Sequence, residues 1–218
     1  MKVNLGPLTW RTLVTLSIAN YLTFIRIFIS PIFMFLYIEH ELVGISMVML
    51  PYVLLFLFGV SELSDAFDGY VARRYNQVTD LGKLLDPMAD SIYRISVFLT
   101  FTRPPVELPL LLVFVFLYRD SVISTLRTIC ALRGFALAAR SSGKMKAIVQ
   151  ALSAFIILIL LIPYSLGLIT QHTLRMTAIV FTTISVAYAL YSAVEYLFAN
   201  REYVIRLLTL DGKEQEKG

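Results

Sequence analysis

Residues 147–171 contain no Asp, Glu, Lys or Arg. Coiled as an α-helix, such a run is longer than the roughly 30 Å hydrocarbon layer of a bilayer. Backbone N–H and C=O groups cannot be left unsatisfied in lipid, so a segment of this kind must be helical. The run is one of several. The 218-residue chain is 58% hydrophobic and 16% charged, against about 25% charged in ordinary soluble domains. Short segments alternating with period two, the mark of a membrane β-barrel, are absent from the sequence. The reading is an all-α integral membrane protein.

Along the chain, "PLTWRTLVTLSI" at residues 7–18 mixes apolar residues with Trp10 and Arg11 and suits an N-terminal amphipathic helix lying in the membrane interface. Six transmembrane helices follow, over about 21–38, 43–73, 79–101, 107–133, 144–167 and 173–199, and the tail "LDGKEQEKG" is polar. Residues 1–218 thus form a single membrane domain. Most Lys and Arg residues, including Lys2, Arg11, Arg73, Arg74, Lys83, Arg133, Arg140, Arg201 and Arg206, fall on one side of these spans, while the opposite loops hold Arg103 and Arg175. Positive charge collects in the cytoplasm, so both termini are expected there. Cys130 is the sole cysteine and reads as an inert core thiol. No signal peptide and no internal repeat is apparent. His40 and His172 fall in external loops, which argues against histidine catalysis, and Ser142-Gly143-Lys144 lacks the upstream glycine of a P-loop.

Against this apolar background, "SDAFDGYVARRYNQVTDLGKLLDPMAD" from Ser64 to Asp90 gathers Asp65, Asp68, Asp80, Asp86 and Asp90, with Glu62 just upstream. Asp65, Asp68, Gly69, Ala72 and Arg73 share a face of the second span; Asp86 and Asp90 share a face of the third, with Gly82 one turn before and Arg94 one turn after. Like charges at these spacings repel, and placing them near lipid costs more, so a divalent cation is the best match for the converging oxygens. Asp80 reads as a helix cap, and Glu62 reads equally as packing or as support for the aspartates. Gly69, Ala72 and Gly82 leave room for a ligand or a close helix contact. A cation transporter could use such acids too. Transporter sites, however, lie near the midplane in repeated halves, whereas these acids lie at the cytoplasmic ends.

The series Asp65-x-x-Asp68-Gly69-x-x-Ala72-Arg73, then eight residues, then Gly82-x-x-x-Asp86-x-x-x-Asp90, resembles the signature of the CDP-alcohol phosphatidyltransferase family at every defined position. The resemblance extends over nearly the whole chain. It implies six membrane helices, an interfacial helix, a homodimer, and Asp65, Asp68, Asp86 and Asp90 binding one or two ions of Mg²⁺ or Mn²⁺. It further implies that Asp68, Gly69, Ala72, Arg73 and Gly82 meet the CDP-lipid and that Asp90 is the general base on the acceptor hydroxyl. The reaction implied is attack of that hydroxyl on the lipid-side phosphorus of CDP-diacylglycerol, with release of CMP.

Outside the signature, "NYLTFIRIFISPIF", "YRDSVISTLR" and "SSGKMKAIVQ" are similar to segments of bacterial phosphatidylglycerophosphate synthases. That subfamily implies sn-glycerol 3-phosphate as acceptor and a site on the cytoplasmic face of the inner membrane; nucleic acid has no place in it. A phosphorylated acceptor needs cations, and the candidates are Arg26, Arg119, Arg127, Lys144 and Lys146. Two positions differ from the subfamily: Ser91 stands where Lys is usual and Asp120 where Glu is usual. Inositol 1-phosphate is the alternative acceptor.

Overall fold

In the computed structural model the backbone is described for residues 18–74, 80–132, 141–202 and 204–205, and side chains for 23–64, 88–130, 141–202, 204 and 205. Six α-helices make up the described part: α1 (Ile18–Ile38), α2 (Leu50–Arg74), α3 (Asp80–Thr100), α4 (Leu110–Leu132), α5 (Ser141–Ser165) and α6 (Gln171–Ala199). No strand occurs among the described residues. Each helix coincides with one of the apolar runs, and the expected interfacial helix at 7–18 lies outside the described residues.

The second helix is the one whose start departs from expectation, beginning at Leu50 and not near residue 43. Gly44 adopts φ +74°, a left-handed conformation that breaks any helix through it. Ser46 then receives the backbone N–H groups of Met49 and Leu50, and Pro51 sits in the first turn, where its missing N–H costs nothing.

The principal contacts run α1–α2–α5–α6–α4–α3 and back to α1, with α3 also meeting α5 across the ring. Toward the C-terminal end of α3 the core is aromatic. Phe33 and Tyr37 of α1 meet Phe101 edge-on, and Phe98 packs against Phe116 at 4.9 Å between ring centroids. Between α5 and α6 the seam is small and polar: Ser153 Oγ lies 2.6 Å from Ser185 Oγ, and Ala154, Ala178 and Ala189 let the helices approach.

The exterior is apolar. Phe28, Phe56, Leu111, Phe114, Val180 and Phe198 face outward, while Thr23, Arg26, Ser61, Arg94, Asp120, Lys146 and Gln150 are buried. Apolar outside and polar inside is the arrangement that a lipid solvent favours and water does not. Among the described residues, α5 and α6 are long and apolar enough to cross a membrane, and Thr23–Ile38 and Leu50–Ser64 are shorter apolar helices.

Candidate active site

Asp90 lies midway along α3, and its neighbour one turn on, Arg94, is the organising cation of this level. Arg94 donates from Nε to Asp90 Oδ1 at 2.7 Å and from Nη1 to the carbonyl of Ala147 on α5 at 2.6 Å. Its Nη2 reaches Glu62 Oε2 on α2 at 3.4 Å. One guanidinium therefore joins α2, α3 and α5, using the planar set of donors that a lysine lacks. Arg94 is 7% exposed, whereas the Asp90 side chain keeps 27% of its surface accessible.

The rest of the acidic signature follows by helical arithmetic. Positions 65 and 68 lie about 4.5 and 9 Å along α2 beyond Glu62, and position 86 lies about 6 Å before Asp90 on α3. The sequence expectation of Asp65, Asp68 and Asp86 as ligands concerns side chains outside the described set, as do the expected roles of Gly69, Ala72, Arg73 and Gly82 and of Asp80 as a cap. No three metal-ligating groups converge among the described side chains. Asp90 offers a hard carboxylate oxygen of the kind that Mg²⁺ and Mn²⁺ prefer.

A second ionic cluster sits beside the first. Asp120 of α4 takes Lys146 Nζ of α5 on both oxygens, each at 2.7 Å. Arg119 Nη1 donates to Asp120 Oδ1 at 3.0 Å, and Ser91 Oγ of α3 donates to Oδ2 at 3.2 Å. The other Arg119 arm, Nη2, donates to Ser192 Oγ of α6 at 2.7 Å. Asp120, Lys146 and Arg119 expose 4%, 6% and 10% of their side chains. Arg119 and Lys146 thus share one carboxylate, and all three side chains are buried. Arg119 Nε is also buried without a hydrogen-bond partner among the described residues. A buried donor left unpaired is costly and suits an acceptor oxygen, such as that of an anion. Ser91, hydrogen-bonded to Asp120, directly follows Asp90 on α3, so the two clusters adjoin.

Between α2 and α5 a cleft of about 550 Å³ runs from Glu62, Arg94 and Lys144 down an apolar wall of Phe58, Ile148, Ala151, Leu152 and Phe155. Charge at one end and hydrocarbon along the rest is the outline of a phospholipid substrate.

The family model for CDP-alcohol phosphatidyltransferases matches residues 16–202, most of the chain. The chain belongs to the CDP-alcohol phosphatidyltransferase family. It is accordingly an enzyme, a phosphatidyltransferase. Among curated relatives, the CDP-diacylglycerol–glycerol-3-phosphate 3-phosphatidyltransferase of Rickettsia typhi is 31% identical over 145 residues, covering 66% of this chain and 76% of its own. The Bacillus subtilis protein of the same name is 28% identical over 174 residues, covering 77% and 90%. A CMP-forming cardiolipin synthase of Streptomyces coelicolor is 36% identical over 120 residues, covering 55% and 54%.

For a phosphatidyltransferase, the five candidate acceptor cations divide instructively. Arg119 and Lys146 come together on Asp120, and Lys144 lines the lipid cleft. Arg127 stands apart: it stacks over the Tyr196 ring at 5.0 Å and donates to the Tyr196 hydroxyl at 3.2 Å. Arg26 is buried on α1, whose neighbours are α2 and α3. Glu62, Ser192 and the Ala147 carbonyl enter the site without having been assigned to it from sequence. Ser192 shares α6 with Thr182, Ser185 and Glu195, so its polarity alone does not single it out.

Proposed function

We propose that this enzyme transfers the phosphatidyl group of CDP-diacylglycerol to sn-glycerol 3-phosphate, forming phosphatidylglycerophosphate and CMP. The observation that carries the choice of a phosphorylated acceptor is the pair of cations, Arg119 and Lys146, buried together on Asp120, with Arg119 Nε lacking a partner among the described residues. The names of the Rickettsia and Bacillus relatives support the same acceptor.

The lipid chains of the donor lie in the cleft walled by Phe58, Ile148, Ala151, Leu152 and Phe155, with Lys144 near the diphosphate. Asp68, Gly69, Ala72, Arg73 and Gly82 hold the cytidine diphosphate. Asp65, Asp68, Asp86 and Asp90 bind two divalent ions, Mg²⁺ or Mn²⁺, which when bound neutralise the diphosphate and stabilise the departing oxygen. Arg94 fixes Asp90 through Oδ1, and the other carboxylate oxygen takes the proton of the acceptor hydroxyl. The hydroxyl oxygen forms a bond to the lipid-side phosphorus as the bond to CMP breaks, and CMP leaves with the electron pair. Arg119 and Lys146 hold the acceptor phosphate; Arg26 and Arg127, also candidates from the sequence, lie outside this pair.

The single domain is a six-span homodimer in the cytoplasmic membrane, with both termini and the site facing the cytoplasm. The test is CMP release by purified protein given CDP-diacylglycerol and, in turn, glycerol 3-phosphate, glycerol, inositol 1-phosphate, inositol and serine. Release with glycerol 3-phosphate alone is the expected result. Preference for inositol 1-phosphate would move the acceptor within the family, and preference for an unphosphorylated alcohol would overturn the reading.

A further inference from the structure

We propose that Asp120 is a positioning residue that sets acceptor specificity, by holding Lys146 and Arg119 as a preassembled phosphate clamp and joining that clamp to the segment bearing Asp90. The proposal rests on a phosphorylated acceptor and goes beyond it by naming what builds its pocket.

The geometry is specific. Asp120 spends both oxygens on Lys146 and one on Arg119, so the two cations are fixed relative to each other by a single carboxylate. Neither cation could hold this place alone, because a buried ammonium or guanidinium without a counter-charge costs several kcal/mol. Asp120 leaves Arg119 Nε without a hydrogen-bond partner among the described residues, and that donor is what an incoming phosphate meets. Arg119 is held from both sides, by Asp120 and by Ser192 on α6, which leaves Nε as its uncommitted donor among the described residues. Ser91 connects Asp120 to α3 at the residue next to Asp90, so the clamp and Asp90 keep a fixed spacing. A preassembled site avoids ordering two long side chains at the moment of binding.

Asp120 touches no substrate in this scheme, so its removal must act through the clamp. Kinetics of Asp120→Asn with both substrates varied distinguish this from general loosening. The expected result is a rise of at least tenfold in the KM for glycerol 3-phosphate, with the KM for CDP-diacylglycerol within twofold of wild type. Asp120→Glu, which restores the charge, should bring the acceptor KM back to within about threefold. Unchanged acceptor KM in Asp120→Asn, or an equal rise for both substrates, would overturn the proposal. Should Asp120→Asn not accumulate in membranes, Asp120→Ser removes the same charge with a smaller side chain and must give the same split. Failure of the underlying reading would look different: wild-type enzyme would then turn over glycerol as readily as glycerol 3-phosphate.

Discussion

At the scale of single residues, the site is a division of labour between two carboxylates that differ in surroundings. Asp90 is partly accessible and tied to one guanidinium; Asp120 is buried and satisfied by three donors. The first is suited to chemistry and the second to architecture. Asp86→Asn is expected to abolish turnover while the protein still inserts and folds, because one fewer carboxylate weakens cation binding without removing apolar packing. Activity assays with and without added Mg²⁺, alongside a thermal melt, check this. Asp90→Asn should lower kcat far more than it weakens CDP-diacylglycerol binding, since the proton transfer occurs only at the acceptor hydroxyl; equal losses would make Asp90 a ligand alone. Arg119→Ala should raise the KM for glycerol 3-phosphate at least tenfold, about 1.4 kcal/mol or more, and initial-rate measurements read it directly. The two positions that differ from the subfamily, Ser91 and Asp120, touch each other. The short serine donates to the carboxylate, so the two fit together.

At the scale of helices, the apolar runs were legible because six long hydrophobic segments leave few other structures open to the backbone. The start of α2 was not legible: "LVGISMVML" is apolar throughout, and hydropathy cannot register that Gly44 takes a left-handed turn within it. Spacing alone predicts which acidic positions share a helix face, and the backbone carries positions 65 and 68 on α2 and 86 and 90 on α3. Partnerships across helices were not legible. Nothing in one sequence says that Arg94 meets the Ala147 carbonyl, that Lys146 meets Asp120, or that Arg119 meets Ser192, because each depends on how α3, α4, α5 and α6 are packed. The cleft between α2 and α5 gives an element-scale test. Ala151→Phe fills its apolar wall and should raise the KM for CDP-diacylglycerol severalfold, leaving the acceptor KM within twofold. A rise in the acceptor KM instead would place the lipid elsewhere.

At the scale of the whole molecule, a ring of helices with an apolar exterior carries its ionic groups inside, at the level where α2, α3, α4 and α5 meet. Lipid solvates the outer faces and the ion pairs are satisfied by one another, so the polar interior is tolerable only as a network. Family membership is consistent with such a network, since a phosphatidyltransferase handles a charged headgroup beside the membrane. The most direct measurement is product stoichiometry. Purified enzyme in mixed micelles of CDP-diacylglycerol is supplied with radiolabelled glycerol 3-phosphate and Mg²⁺, and both CMP and labelled lipid are quantified. One labelled phosphatidylglycerophosphate for each CMP, lost on chelation and restored by the cation, is the predicted result. CMP release without label entering lipid, or label transfer unaffected by chelator, would contradict the account.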